Sequence, residues 1–206
     1  MIEKHNPLGA LARRYQLILM SGSPRRRELI AMLDLPFVVD TSHNVDETCP
    51  DDLPAEEVPV YLSRLKASAV TLEADDPRLL VTADTIVVLD GKILGKPKDD
   101  AEARSMLAEM SGREQTVVTG VTIKTASDRY TFSEKTKVKF ATLTTEEIDY
   151  YVSKYHPLDK AGAYGIQEWI GAAAIEGIDG SFYNVMGLPI HRLYTALHRF
   201  LPNPTE

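Results

Sequence analysis

The chain has 206 residues, of which 44% are hydrophobic and 26% charged, with a formal net charge of −7. That length supports one domain or two small ones with a substantial core, and the acidic balance argues against nucleic-acid binding, which calls for a basic surplus or stripe. Apolar runs are broken within about ten residues, too short to cross a bilayer. The N-terminal stretch lacks an apolar signal core, and Cys49 is the only cysteine. These features exclude an internal disulfide and a Cys-based zinc site and lead us to expect a cytoplasmic setting with an unreactive thiol.

Taken in chain order, "YQLILMSGS" (15–23) reads as a short buried strand ending in turn residues. Pro24 suits the first helical position and Ser23 the N-cap, so "RRRELIAMLDL" reads as an amphipathic helix. "FVVD" is a second strand, and the polar, proline-punctuated "HNVDETCPDDLP" is a loop. The spacing predicts a helix over 56–73, with Tyr61, Leu65 and Leu72 as its apolar stripe. "LLVTADTIVVLDGKILGKP" suggests a β-hairpin, because Asp90-Gly91 suits a type I′ turn. "DDAEARSMLAEMSG" carries an N-cap, helical periodicity and a closing glycine. Two β-rich stretches, 114–126 and 129–142, suggest a second hairpin, and "TTEEIDYYVSKY" opens with the capping box Thr144–Glu147. A glycine-rich loop, a strand near 173–178 and a helix over about 188–200 complete the chain. Helices alternating with strands and hairpins indicate an α/β fold, a mixed sheet flanked by helices. No linker divides it, so one unit is expected, with two lobes around a cleft.

Three consecutive arginines, Arg25 to Arg27, stand in the first turn of a helix, the end that already carries positive partial charge. An anion explains the arrangement, since free N–H groups and the guanidinium forks of Arg25 and Arg26 suit phosphate oxygens. A solvated helix start would explain any one of them, and because consecutive residues lie about 100° apart the three cannot all face one ligand, which leaves Arg27 to Glu28 or solvent. Neither G-x-x-x-x-G-K-[ST] nor G-x-G-x-x-G occurs. Asp84 interrupts an apolar strand, where a carboxylate must be paired, hydrogen-bonded or bound to a cation. Lys96 leaves the same hairpin and could reach the same cleft. Lys66 on the preceding helix reads by itself as a snorkelling lysine. Asp46 and Glu47 are adjacent loop acids that could hold a divalent cation. Gln167, after two loop glycines, offers a donor and an acceptor for a base edge. None of the five histidines has metal-ligand spacing, and they read as structural or surface groups. No G-x-S-x-G elbow is present.

"SGSPRRREL", "ADTIVVLDGKILGKP", "DKAGAYGIQ" and "EGIDGSFYNVMGLP" resemble, in order, the signature blocks of the Maf nucleotide pyrophosphatases, over about residues 17–200. The intact "DKAGAYGIQ" is most similar to the branch acting on dTTP and UTP. The resemblance implies a fold like that of inosine triphosphate pyrophosphatases, a single domain over 17–202 preceded by an extension of residues 1–16, a divalent cation (Mg²⁺ or Mn²⁺) and a homodimer. It implies hydrolysis between the α and β phosphates, with Asp84, Glu47, Lys66 and Lys96 as catalytic residues. Ser21, Arg25, Arg26, Thr85 and Gln167 would bind substrate, and Glu47 and Asp84 would hold the metal. The one departure is Glu168, where the resemblance leads us to expect glycine; it bears on base selectivity and not on the reaction type. Two other readings stay open: the same reaction on other bases, and a nucleotide-sensing regulator of cell division without turnover.

Overall fold

The computed structural model describes residues 6–202. Helix α1 (Gly9–Arg14), which the sequence reading had not anticipated, buries Leu8 and Leu11 in the core. Asn6 holds it there: Oδ1 accepts the Leu8 N–H at 2.8 Å, and Nδ2 donates to the Leu33 carbonyl at 3.0 Å. Residues 1–5 of the expected extension, His5 among them, lie outside the described residues.

Strands β1 (Gln16–Leu19), β2 (Phe37–Val39), β3 (Arg78–Leu89), β5 (Glu114–Lys124), β6 (Arg129–Phe140) and β7 (Ile175–Asp179) form one sheet in the order β2-β1-β3-β5-β6-β7. The short β4 (Lys92–Leu94) pairs beside β3 as the seventh strand. β1 runs parallel to β2 and β3, and the remaining pairings are antiparallel, so the expected mixed sheet is present. Both expected hairpins form. Asp90 and Gly91 each have positive φ (47° and 80°), as a type I′ turn requires.

Helices α2 (Pro24–Ala31), α3 (Val58–Ser68), α4 (Asp100–Met110), α5 (Thr145–Tyr155), α6 (Trp169–Ala174), α7 (Phe182–Met186) and α8 (Ile190–Leu197) flank the sheet. Where side chains cap the ends, the sequence reading holds. Ser23 caps α2, Asp99 caps α4, and Thr144 and Glu147 make the full capping box of α5. Where packing sets the ends, it does not. The helix expected over 56–73 runs as a short 3₁₀ turn and then α3, ending at Ser68, so Leu72 lies beyond it. The stripe turned to the sheet is Val60, Ser63 and Ala67, while Tyr61 and Leu65 are only half-buried. A serine belongs to the buried face because Ser63 Oγ meets Thr122 Oγ1 at 3.0 Å and the Val60 carbonyl at 2.9 Å. The strand expected near 173 begins only at Ile175, because residues 169–174 form α6.

The long strands serve two cores at once. Near one end, Leu79 and Val81 of β3 and Val121 and Ile123 of β5 pack with β1, α1, α2 and α8. Near the other, Val87 and Leu89 of β3 and Val117 of β5 pack with α4, α5 and α6. The midpoint of β3, Asp84 and Thr85, pairs with Gly120 and Thr119 of β5 between these two cores. The two expected lobes are therefore two hydrophobic clusters on a shared sheet. No helix of the described residues is long and apolar enough to cross a membrane.

Gly120 sets how close α3 can come to the sheet. A Cβ there would lie 2.3 Å from the Pro59 carbonyl carbon and 2.4 Å from the Val60 nitrogen, both backbone atoms that cannot swing aside. Gly120→Ala should therefore destabilise the fold by about 3 kcal/mol, at the upper end of overpacking costs. A urea midpoint unchanged from that of the unsubstituted chain would show that α3 is free to retreat.

Candidate active site

A cavity of about 550 Å³ opens at the seam between the two cores, within the size range of small-molecule sites. Among the residues expected from the sequence, Ser21, Arg25, Arg26 and Glu47 line it, as do Lys66, Thr85, Lys96 and Gln167. Asp84 is the exception. Successive side chains of a strand point to opposite faces. Thr85 turns toward Arg26, while Asp84 turns toward α3 and meets Lys66.

The arginine run separates into three fates because helical residues diverge by about 100°. Arg26 points inward and is half-buried. Its Nε donates to the Gly187 carbonyl at 2.8 Å and Nη1 to the Ala83 carbonyl at 2.9 Å. Nη1 also reaches Ser21 Oγ at 3.3 Å, and Nη2 reaches Thr85 Oγ1 at 3.1 Å. Every one of these partners is neutral. Burial pulls the guanidinium below its ordinary pKa, an effect the nearby Asp84 charge partly offsets. Arg25 donates from Nη1 to Asp159 Oδ2 at 2.7 Å. Arg27 is exposed, and its side chain makes no hydrogen bond or ion pair among the described residues. Of the two partners that the helical spacing leaves open for Arg27, Glu28 or solvent, it meets solvent among the described residues.

On the other wall, the Lys66 ammonium bridges two acids. It lies 2.7 Å from Asp84 Oδ1 and 3.2 Å from Glu47 Oε2. The sequence-distant loop, helix and strand meet here, so Lys66 is no isolated surface lysine. The other oxygen of each carboxylate, Asp84 Oδ2 and Glu47 Oε1, has no partner among the described residues. Asp46 turns away and accepts from Thr48 Oγ1 at 2.6 Å. Among the described residues no group of three or more His, Cys, Asp or Glu side chains could hold a metal ion. Cys49 lies close enough to both acids to feel them. Burial first, and then the Asp84 and Glu47 charges, push its thiol above the ordinary value, as an unreactive thiol requires.

Lys96 and Gln167 are exposed at the cavity and make no side-chain hydrogen bond among the described residues. Both are free to meet a ligand. Sequence reasoning passed over Asp159, Lys160 and Tyr164, which also line the cavity. The signal was available, because Asp159 and Lys160 open the same "DKAGAYGIQ" block that yielded Gln167. Asp159 is held down to about 2: burial alone would raise it, but hydrogen bonds from Lys160 and Arg25 and their positive charges prevail. His43 lines the cavity too, with Nε2 3.5 Å from Asp40 Oδ2. No spacing in the sequence pointed to it.

Residues 16–200 match the family model described as Maf-like protein. A protein of Phocaeicola vulgatus named dTTP/UTP pyrophosphatase is 50% identical over 186 residues, covering 90% of this chain and 96% of its own. A Porphyromonas gingivalis protein of the same name is 50% identical over 190 residues, covering 91% and 96%. Another from Christiangramia forsetii is 41% identical, covering 94% and 98%. The solved structure of a HAM1 protein from Coxiella burnetii aligns with a TM-score of 0.46 at 16% identity, covering 90% of this chain and 99% of that one. With the family model matched over residues 16–200 and relatives half identical over nine-tenths of the chain, the chain belongs to the Maf family.

Proposed function

We propose that this chain hydrolyses dTTP and UTP to the monophosphate and pyrophosphate, and so clears pyrimidine nucleotides. The observation that carries the reading is the half-buried Arg26 guanidinium, bonded only to neutral groups in a cavity that Arg25, Lys66 and Lys96 also line. A positive charge partly withdrawn from water with no bonded carboxylate is best satisfied by an anionic ligand. Two of the relatives named above, half identical over most of the chain, carry the name dTTP/UTP pyrophosphatase and support the reaction and the base.

Phosphoryl transfer rests on positioning and charge stabilisation more than on covalent chemistry. Arg26 and Arg25 would hold phosphate oxygens at the start of α2, where Ser21 and the helix N-terminus add donors. Lys96, unpaired among the described residues, would meet the departing pyrophosphate. Asp84 Oδ2 and Glu47 Oε1, the two unclaimed oxygens, are hard donors of the kind Mg²⁺ and Mn²⁺ prefer. Because two carboxylates are too few for a closed site, the substrate's phosphates would complete the set, as is usual for Mg²⁺. A bound cation would neutralise developing charge on the phosphates. Asp84, fixed by Lys66, would orient the attacking water and take its proton, with Glu47 sharing the acidic work. Gln167 would read the base edge at the rim. Thr85 would act on selectivity through Arg26, to which it is bonded. The cytoplasmic setting and the homodimer belong to the same proposal.

Pyrophosphate release from a nucleotide panel, assayed with and without Mg²⁺, should rank dTTP and UTP above GTP and ITP. Binding without release would favour a sensor. Asp84→Asn should lower turnover of dTTP by about a hundredfold or more, the usual loss for a proton-transfer group. Near-normal turnover in that variant would remove Asp84 from the chemistry. Arg26→Lys keeps the charge but cannot span the Gly187 and Ala83 carbonyls and Thr85 together. Its kcat/KM for dTTP should fall by about a hundredfold, as for loss of a transition-state donor. An unchanged value would mean that charge alone suffices at that position.

A further inference from the structure

Glu168 stands where the family resemblance led us to expect glycine, and the fold gives its side chain a definite task. Its Oε1 lies 3.1 Å from Lys160 Nζ, and its Oε2 accepts the hydroxyl hydrogen of Tyr151, a fully buried residue of α5. Lys160 is itself buried, with only 8% of its surface exposed, and its ammonium also contacts Asp159 Oδ1 at 2.9 Å. Asp159 in turn takes Arg25 at 2.7 Å through its other oxygen. Charges therefore alternate along one unbroken row: Arg25, Asp159, Lys160, Glu168, and finally the Tyr151 hydroxyl.

The same hydroxyl accepts the backbone N–H of Gly165 at 3.0 Å. Gly165 fits against the row so closely that a Cβ would lie 2.8 Å from Glu168 Cδ and 2.9 Å from Lys160 Cε. The loop that carries Gln167 is thus wrapped around the Lys160–Glu168 pair and tied to α5. A buried lysine cannot surrender one of its two acids without exposing charge to a low-dielectric setting, so the pair resists displacement.

We infer that Glu168 is a positioning residue that fixes the base-reading Gln167 loop relative to the phosphate-binding Arg25, through Lys160 and Asp159. The inference rests on the nucleotide reading above and deepens it. Arg25 stands on the rigid start of α2 and keeps its place without Glu168, whereas Gln167 follows its neighbour. Distance between the two ends matters only to a ligand that spans them. Loss of Glu168 therefore weakens a whole nucleotide but not its phosphate portion alone.

Calorimetric titration with α,β-methylene-dTTP and, separately, with inorganic tripolyphosphate, both with Mg²⁺, tests this on the full chain. Glu168→Gln should weaken the nucleotide analogue by about tenfold, in line with losing one charged hydrogen bond, and leave tripolyphosphate within about twofold. Tyr151→Phe removes a single oxygen and should give the same split, and the two changes combined should cost less than their sum. Thermal melting of each variant checks that the fold is intact. Equal weakening of both ligands, or of neither, would overturn the inference while leaving the hydrolase reading in place. Failure of the unsubstituted chain to release pyrophosphate from dTTP would overturn that reading and this inference with it.

Discussion

The site depends on one guanidinium. Arg26 crosses from the first turn of α2 to the midpoint of β3 and to the turn after α7, and its bonds to Ala83, Gly187 and Thr85 hold these three segments in one geometry. None of those partners carries charge, so the cation is oriented by the fold without being neutralised by it. Burial lowers its pKa, and Asp84 offsets the effect through space without forming a bond. The protein thus stores a directed positive charge in the wall of a cavity, which is what an anion site needs before its ligand arrives.

The two-core architecture explains why this charge has somewhere to act. β3 and β5 each feed one cluster near one end and a second cluster near the other, and the small residues Thr85, Thr119 and Gly120 stand between the two. Gly120 lets α3 lie directly on the sheet, which brings Lys66 to Asp84. Strand alternation then separates two neighbours in sequence into two duties. Thr85 supports the inward arginine, Arg26, and Asp84 holds Lys66 on the acidic side. A shift of register by one residue would exchange them.

Legibility of the fold followed the range of the forces involved. The capped starts of α2, α4 and α5 and the Asp90-Gly91 turn were readable because each is closed by hydrogen bonds or backbone preferences within four residues. Helix α6 was not: no side chain caps its start, and its close approach to the Ile166 carbonyl, 1.7 Å from where a Cβ at Gly171 would lie, leaves no periodic signal in residue type. The stripe of α3 was misjudged for a related reason. Ser63 looks polar in sequence and is buried because Thr122 and a backbone carbonyl satisfy it.

The sequence by itself determined the chemistry present: an anion-seeking helix start, an acid inside an apolar strand, two lysines and an amide in a glycine-rich loop. Those are properties of residue type and local spacing, and they survive without coordinates. Only the tertiary structure decided which arginine faces inward, that Lys66 bridges Asp84 and Glu47, and that Asp159, Lys160 and Glu168 join Arg25 in one alternating row. Apart from Asp159–Lys160 and Lys160–Glu168, which lie within one segment, these pairings join residues well apart in the chain, and the direction of a side chain depends on the packing around it. No spacing rule encodes that.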